Sequence, residues 1–149
     1  MPENLSGKMA YRQDLSSAAR RHLKAAQVLY ETTGAGLQPG CKAVAGYLFG
    51  LAGELAIKTA MRDSGMAPLP DAERNDDPFY KHFPALKTLL VETAKGRRAG
   101  ELRKWAEQSQ LFQHWDTAMR YAPTDDIVAG RVDAWKASAE ELVERMDIA

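Results

Sequence analysis

Apolar residues recur along this chain at helical spacing. From about Gln13 the series Leu15, Ala18, Ala19, His22, Ala26 and Leu29 keeps to one face, widened by Leu23 and Tyr30. Arg20, Arg21, Lys24 and Gln27 fall off that face, and Gly34, Gly36 and Pro39-Gly40 interrupt the pattern. A second helix is predicted from about Cys41 to Ser64, closed by Gly65. Glu54 is its only charge between Ala43 and Ile57, so it reads as a mostly buried helix. Gly46, Gly50 and Gly53 lie inside it. Each costs about 1 kcal/mol against alanine, and close approach of another backbone is a physical reason for them.

Residues 65–80 read as the longest connection, with Pro68, Pro70 and Pro78 and an acidic run of Asp71, Glu73, Asp76 and Asp77. A third helix is expected from near Phe83 to Gly96, with Pro84 in its first turn, where a missing N–H costs nothing. A fourth helical segment covers Gly100 to about Met119, with a break near Ser109. Arg120-Tyr121-Ala122-Pro123 reads as a turn, followed by Thr124 as N-cap and Asp125 and Asp126 against the helix dipole. The last helix carries Val128, Val132, Trp135, Ala139, Leu142 and Met146. No segment has strand periodicity. The expectation is an all-α, antiparallel bundle of four to five helices, with 1–11 a flexible N-terminus and 12–149 a single domain.

Composition narrows the chemistry. Of 149 residues, 45% are hydrophobic and 27% charged, which excludes disordered and collagen-like chains. Twenty bases balance twenty acids, so binding nucleic acid by overall charge is excluded, while a local basic patch is not. One cysteine, Cys41, excludes a disulfide framework and a cysteine-built zinc site. No uninterrupted apolar stretch approaches the roughly 18 residues of a membrane helix, and Met1 to Lys8 show no signal-peptide core. The expected location is cytoplasmic, with no membrane association. Neither glycine-rich phosphate loop is present, nor H-E-x-x-H, nor the E-x-x-H of a di-iron bundle. His22, His82 and His114 lie in different segments. No metal and no cofactor is expected.

Two constellations carry candidate binding chemistry. Glu54 and Lys58 stand i,i+4 on an apolar helix, readable as a helix salt bridge or as a polar pair at a ligand cleft or dimer seam. Lys95, Arg97, Arg98, Arg103 and Lys104 face only Glu101, readable as a solvated surface or as a phosphate-binding patch. No aromatic alternates with these bases as in a single-strand stacking groove. Trp105, Trp115 and Trp135 read as core or interface anchors.

Several pieces in order resemble the HEPN superfamily of small helical domains. They are Ala18-Ala19-Arg20-Arg21-His22-Leu23-Lys24-Ala25-Ala26, then Tyr47 with Ala52-Gly53-Glu54-Leu55-Ala56-Ile57-Lys58, then His82-Phe83-Pro84-Ala85-Leu86, then Arg120-Tyr121-Ala122-Pro123. The resemblance implies a helical bundle, often a homodimer. In catalytic members it implies a metal-independent ribonuclease with an Arg-x4-6-His motif on the last helix. Here Arg131 is followed by no histidine, and Lys136 stands in its place. The expectation is therefore a non-catalytic module binding a nucleotide, an RNA or a protein partner, and the resemblance implies a nucleotidyltransferase in a toxin–antitoxin pair as one such partner. Glu54, Lys58, Arg97, Arg98, Arg103, Arg120 and Tyr121 are its candidate ligand-binding residues. The alternatives are a divergent endoribonuclease using Arg131 and Lys136, and a helical interaction protein with no nucleic-acid role. A homodimer is expected, with the glycines of the second helix and Trp135 of the last at its seam.

Overall fold

A computed structural model describes residues 12–32, 39–94 and 99–147. The flexible start expected for 1–11, the glycines 34 and 36, and the bases Lys95, Arg97 and Arg98 lie outside the described residues. Among those described, the protein is all-α: five α-helices and four short 3-10 segments, with no strand.

Helix α1 spans Leu15–Glu31, α2 Pro39–Asp63, α3 Ala85–Thr93, α4 Ala99–Glu107 and α5 Ala129–Arg145. Asp14 caps α1, its carboxylate accepting from the Ser17 N–H at 3.1 Å and the Ser17 hydroxyl at 2.9 Å. The face predicted for α1 buries Ala19 and Ala26 against α2, with Leu23 and Leu29 at its margin. The long apolar α2 is the axis of the molecule. Ala45, Phe49, Ala52, Ala56, Ile57, Ala60 and Met61 are all buried along it. By length and apolar composition α2 could cross a membrane, and half of its apolar window is buried inside the fold, as in a core helix.

Side-chain pairs set the helix directions. The end of α1 meets the start of α2 through Tyr30 and Lys42. The start of α1 meets the end of α5 through the Arg20–Asp147 ion pair, and Gln27 and Tyr30 bind Glu140 and Asp133 further back along α5. So α1 is antiparallel to both α2 and α5, and those two run the same way. The chain returns from the end of α2 to the start of α5 by way of α3 and α4, and a segment from 108 to 128 joins α4 to α5.

That segment begins at the break expected near Ser109 and departs from the helix expected beyond it as far as Met119. Helix α4 stops at Glu107, and a run of turns follows in which Phe112 and His114 take positive φ (53° and 71°). Along these turns Leu111, Phe112 and Trp115 are buried in the core. A 3-10 segment, Thr117–Tyr121, follows. Thr124 does not cap the last helix. It opens a separate 3-10 turn, Thr124–Asp126, and α5 begins at Ala129 after Val128, with no side-chain cap. Val128 is exposed, so the buried stripe of α5 starts at Val132 and continues through Trp135, Ala139, Leu142 and Met146 as expected. The third helix likewise starts after Pro84, which follows a cis Phe83–Pro84 bond, and ends at Thr93.

The glycines of α2 receive rings from this same chain. A Cβ on Gly46 would stand 3.0 Å from Trp135 and Val132, one on Gly50 2.0 Å from the Trp115 indole, and one on Gly53 2.4 Å from the Phe112 ring. The three positions share one face of the helix. Their close approach is therefore intrachain packing, and Trp135 is a core residue that donates its indole N–H to the Gln113 carbonyl at 2.9 Å. Neither the glycines nor Trp135 is free to form the dimer seam expected of them.

Candidate functional site

The strongest polar feature sits where α2 passes the 65–84 connection. Glu54 is 2% exposed on an apolar helix. A carboxylate there must find internal donors, because desolvating it unpaired costs several kcal/mol. It finds them in the connection before α3. Oε1 accepts from Nδ1 of His82 at 2.7 Å, and Oε2 accepts the backbone N–H of Phe83 at 2.7 Å. Phe83 is held against α2 by stacking on Phe112 at 4.8 Å and by an edge contact with Trp115. The His82 side chain itself is 54% exposed. In the neutral tautomer that donates from Nδ1 to this carboxylate, Nε2 holds the ring's lone pair.

Lys58 lies one turn further along α2 and is 8% exposed. It makes no hydrogen bond or ion pair at contact distance, so the salt bridge with Glu54 suggested by their spacing does not form. Burial lowers its pKa, against the attraction of Glu54 and of Asp77. Asp77 is fully buried. Its two oxygens accept the backbone N–H groups of Leu69 and Phe79 at 2.8 and 3.0 Å, pinning both ends of the acidic connection. Burial pushes the Glu54 carboxyl above its ordinary value, and the bonds from His82 and Phe83 and the charge of Lys58 resist that shift. Two carboxylates, one ammonium and one imidazole thus form a single buried-to-surface polar cluster.

The second feature is a platform at the start of α2. Arg120 donates to the Tyr47 hydroxyl at 3.2 Å, and its guanidinium stands 5.0 Å from the centre of the Tyr121 ring. Tyr121 is 80% exposed. Tyr47 is held from behind, stacked on Trp115 at 5.5 Å. Beside them opens a cleft of about 190 Å³ lined by Ala43, Val44, Tyr47, Met119, Arg120 and Ile127, among others.

The remaining candidates do not converge. Arg131 is exposed without a side-chain partner. Lys136 is engaged elsewhere: it pairs with Glu140 at 3.0 Å and lies over the Tyr30 ring at 5.3 Å. Five residues apart on a helix, the two point about 140° apart. Arg103 and Lys104 are exposed on α4, consistent with a solvated face. Among the described residues no cluster of metal-ligating side chains occurs. Sequence reasoning missed His82 and Asp77 as partners of the Glu54–Lys58 pair. The one available signal was the isolated charge of Glu54 in an apolar helix, which requires a buried donor from outside that helix. In comparisons with family models, curated proteins and solved structures, nothing matches the chain.

Proposed function

We propose that this protein is a non-catalytic helical binding module whose ligand face is the Arg120–Tyr121 platform with its adjoining cleft. One observation carries the reading. An almost fully exposed tyrosine ring stands beside a guanidinium that is fixed by a second, core-anchored tyrosine. An exposed ring in water gains by stacking, and a neighbouring arginine adds a charge for phosphate. Base–aromatic stacking contributes roughly 1–3 kcal/mol per base. The ligand class that uses both is a nucleotide or a single-stranded RNA. The HEPN resemblance adds a nucleotidyltransferase as a protein partner, and a homodimer as the assembly.

Turnover by Arg131 and Lys136 is not favoured, because Lys136 is committed to Glu140 and Tyr30. The test is titration of the full chain with mononucleotides and a short single-stranded oligoribonucleotide, followed by tyrosine and tryptophan fluorescence. Binding that is lost in Tyr121→Ala and weakened in Arg120→Ala is the expected result. Absence of binding to all of these ligands, or binding indifferent to both substitutions, overturns the reading.

A further inference from the structure

His82 differs from the other two histidines in what stands behind its ring. His22 faces the neutral carbonyl of Ala18 at 2.8 Å and is partly buried. His114 is exposed with no side-chain partner. His82 alone has a buried carboxylate on Nδ1 and an outward Nε2. A carboxylate behind an imidazole fixes the tautomer and the ring orientation and aims the distal nitrogen as a nucleophile. Glu54 is in turn held by the Phe83 N–H at 2.7 Å, which fixes the carboxylate against which His82 is bonded at 2.7 Å.

We propose that the Glu54–His82 pair is a phosphoryl-acceptor site, with Nε2 of His82 as the acceptor and Glu54 as the positioning residue. The donor class is a phosphoramidate or acyl phosphate, in which phosphorus carries a good leaving group. The lone pair on Nε2 forms the N–P bond as the bond from phosphorus to the leaving group breaks. That electron pair departs with the leaving group, which leaves an acyl phosphate as a carboxylate, or a phosphoramidate as an amine that takes a proton from water. The ring gains positive charge, and the Nδ1 proton shares it with the Glu54 carboxylate. Nothing is oxidised or reduced.

The surroundings suit a phosphoryl group better than an acyl group. Lys81, adjacent in the chain, has no ion-pair partner. The Ala85 N–H that opens α3 has no acceptor, and the first turn of that helix carries no acid. The site lies apart from the Arg120–Tyr121 platform and does not depend on it.

The probe is phosphoramidate, incubated with the full chain at neutral pH, with peptide mapping under mildly alkaline conditions that preserve phosphohistidine and ³¹P NMR to identify the nitrogen. His82 is expected to label first, at Nε2, ahead of His22 and His114. In Glu54→Gln, folded by circular dichroism, labelling is expected to slow roughly tenfold, the scale on which losing the group behind a working imidazole lowers activity. Labelling of exposed His114 as fast as His82, or wild-type labelling in Glu54→Gln, overturns the proposal. If Glu54→Gln does not fold, the order among the three histidines of the unaltered protein decides alone.

Discussion

Trp115 donates its indole N–H to the carbonyl of Gly46 at 3.1 Å while its ring lies over Gly50, one turn further along the same helix. The relationship joins the turn after α4 to the middle of α2 by one hydrogen bond and one missing side chain. Tyr47 stacks on that ring and accepts from Arg120, so the packing of Gly50 reaches the Arg120–Tyr121 platform.

Gly50→Ala is therefore expected to destabilise the protein. Alanine regains about 1 kcal/mol of helix propensity, but its Cβ would overlap the Trp115 ring at 2.0 Å. Overpacking typically costs roughly 1–3 kcal/mol, and this overlap with a ring that stacks on Tyr47 and meets Phe83 edge-on belongs at the upper end. Gly130→Ala is the control, since nothing lies within 4 Å of its added methyl. Urea unfolding should show a loss for the first and none for the second. Equal stability of Gly50→Ala and the unaltered chain would mean that Trp115 does not sit where described.

Lys58→Met tests the unpaired buried ammonium. Methionine keeps the length of the side chain and removes a charge whose burial outweighs its attraction to Glu54 and Asp77. The expected result at pH 7 lies between no change and about 1 kcal/mol of added stability. The sign with pH follows from its lowered pKa. Between the folded and unfolded values the unfolded chain binds more protons, so the Lys58 contribution to stability rises as pH increases through that window. That rise should vanish in Lys58→Met. A loss beyond about 2 kcal/mol at pH 7 would show that the ammonium is a required counter-charge for the two carboxylates.

Glu54→Gln separates charge from hydrogen bonding. The amide oxygen can still accept from Phe83, and the amide N–H₂ can donate to Nδ1 of the other His82 tautomer. The raised carboxyl pKa means that the folded state binds the proton more tightly. Stability from this group is present below the ordinary value of 4.5 and is lost as pH rises through the higher folded value. Relative to the unaltered protein, Glu54→Gln should gain stability as pH is raised from 4 towards 8. The measurement is the midpoint of urea unfolding across that range, and a parallel pair of pH profiles would contradict the buried carboxylate.

His114→Gly addresses the turn after α4. His114 holds φ at 71° on the surface without a side-chain partner. The left-handed region costs a residue with a Cβ roughly 1–2 kcal/mol, which glycine avoids. Part of that gain is offset by the greater freedom of glycine in the unfolded chain. A modest rise in melting temperature is the expected outcome, and a fall would mean the imidazole has a stabilising role that its exposure does not suggest.

The helices, their buried faces and the apolar character of α2 were legible from spacing alone, because burial of a 3.6-residue stripe is written into each segment locally. So was the composition of the core: Trp105, Trp115, Trp135, Leu86, Leu90 and Leu142 are all buried. The Arg120-Tyr121 and Glu54–Lys58 candidates were visible as residue types, and their partners were not. Which side chain answers Glu54 depends on where a connection 28 residues away returns to α2, and sequence spacing proposed the nearest cation, Lys58, instead of His82. Nor could spacing tell whether Gly46, Gly50 and Gly53 admit a second chain or this one. A glycine states only that space is left open, and the rings of Phe112, Trp115 and Trp135 that fill it arrive from positions some 60 to 90 residues later. The helix expected beyond the break near Ser109 as far as Met119 does not form: the chain runs through turns there, and Phe112 and Trp115 fill the space over Gly53 and Gly50, a pairing that only the tertiary fold supplies. Local periodicity determines which surfaces must be buried, and only the tertiary fold decides what buries them.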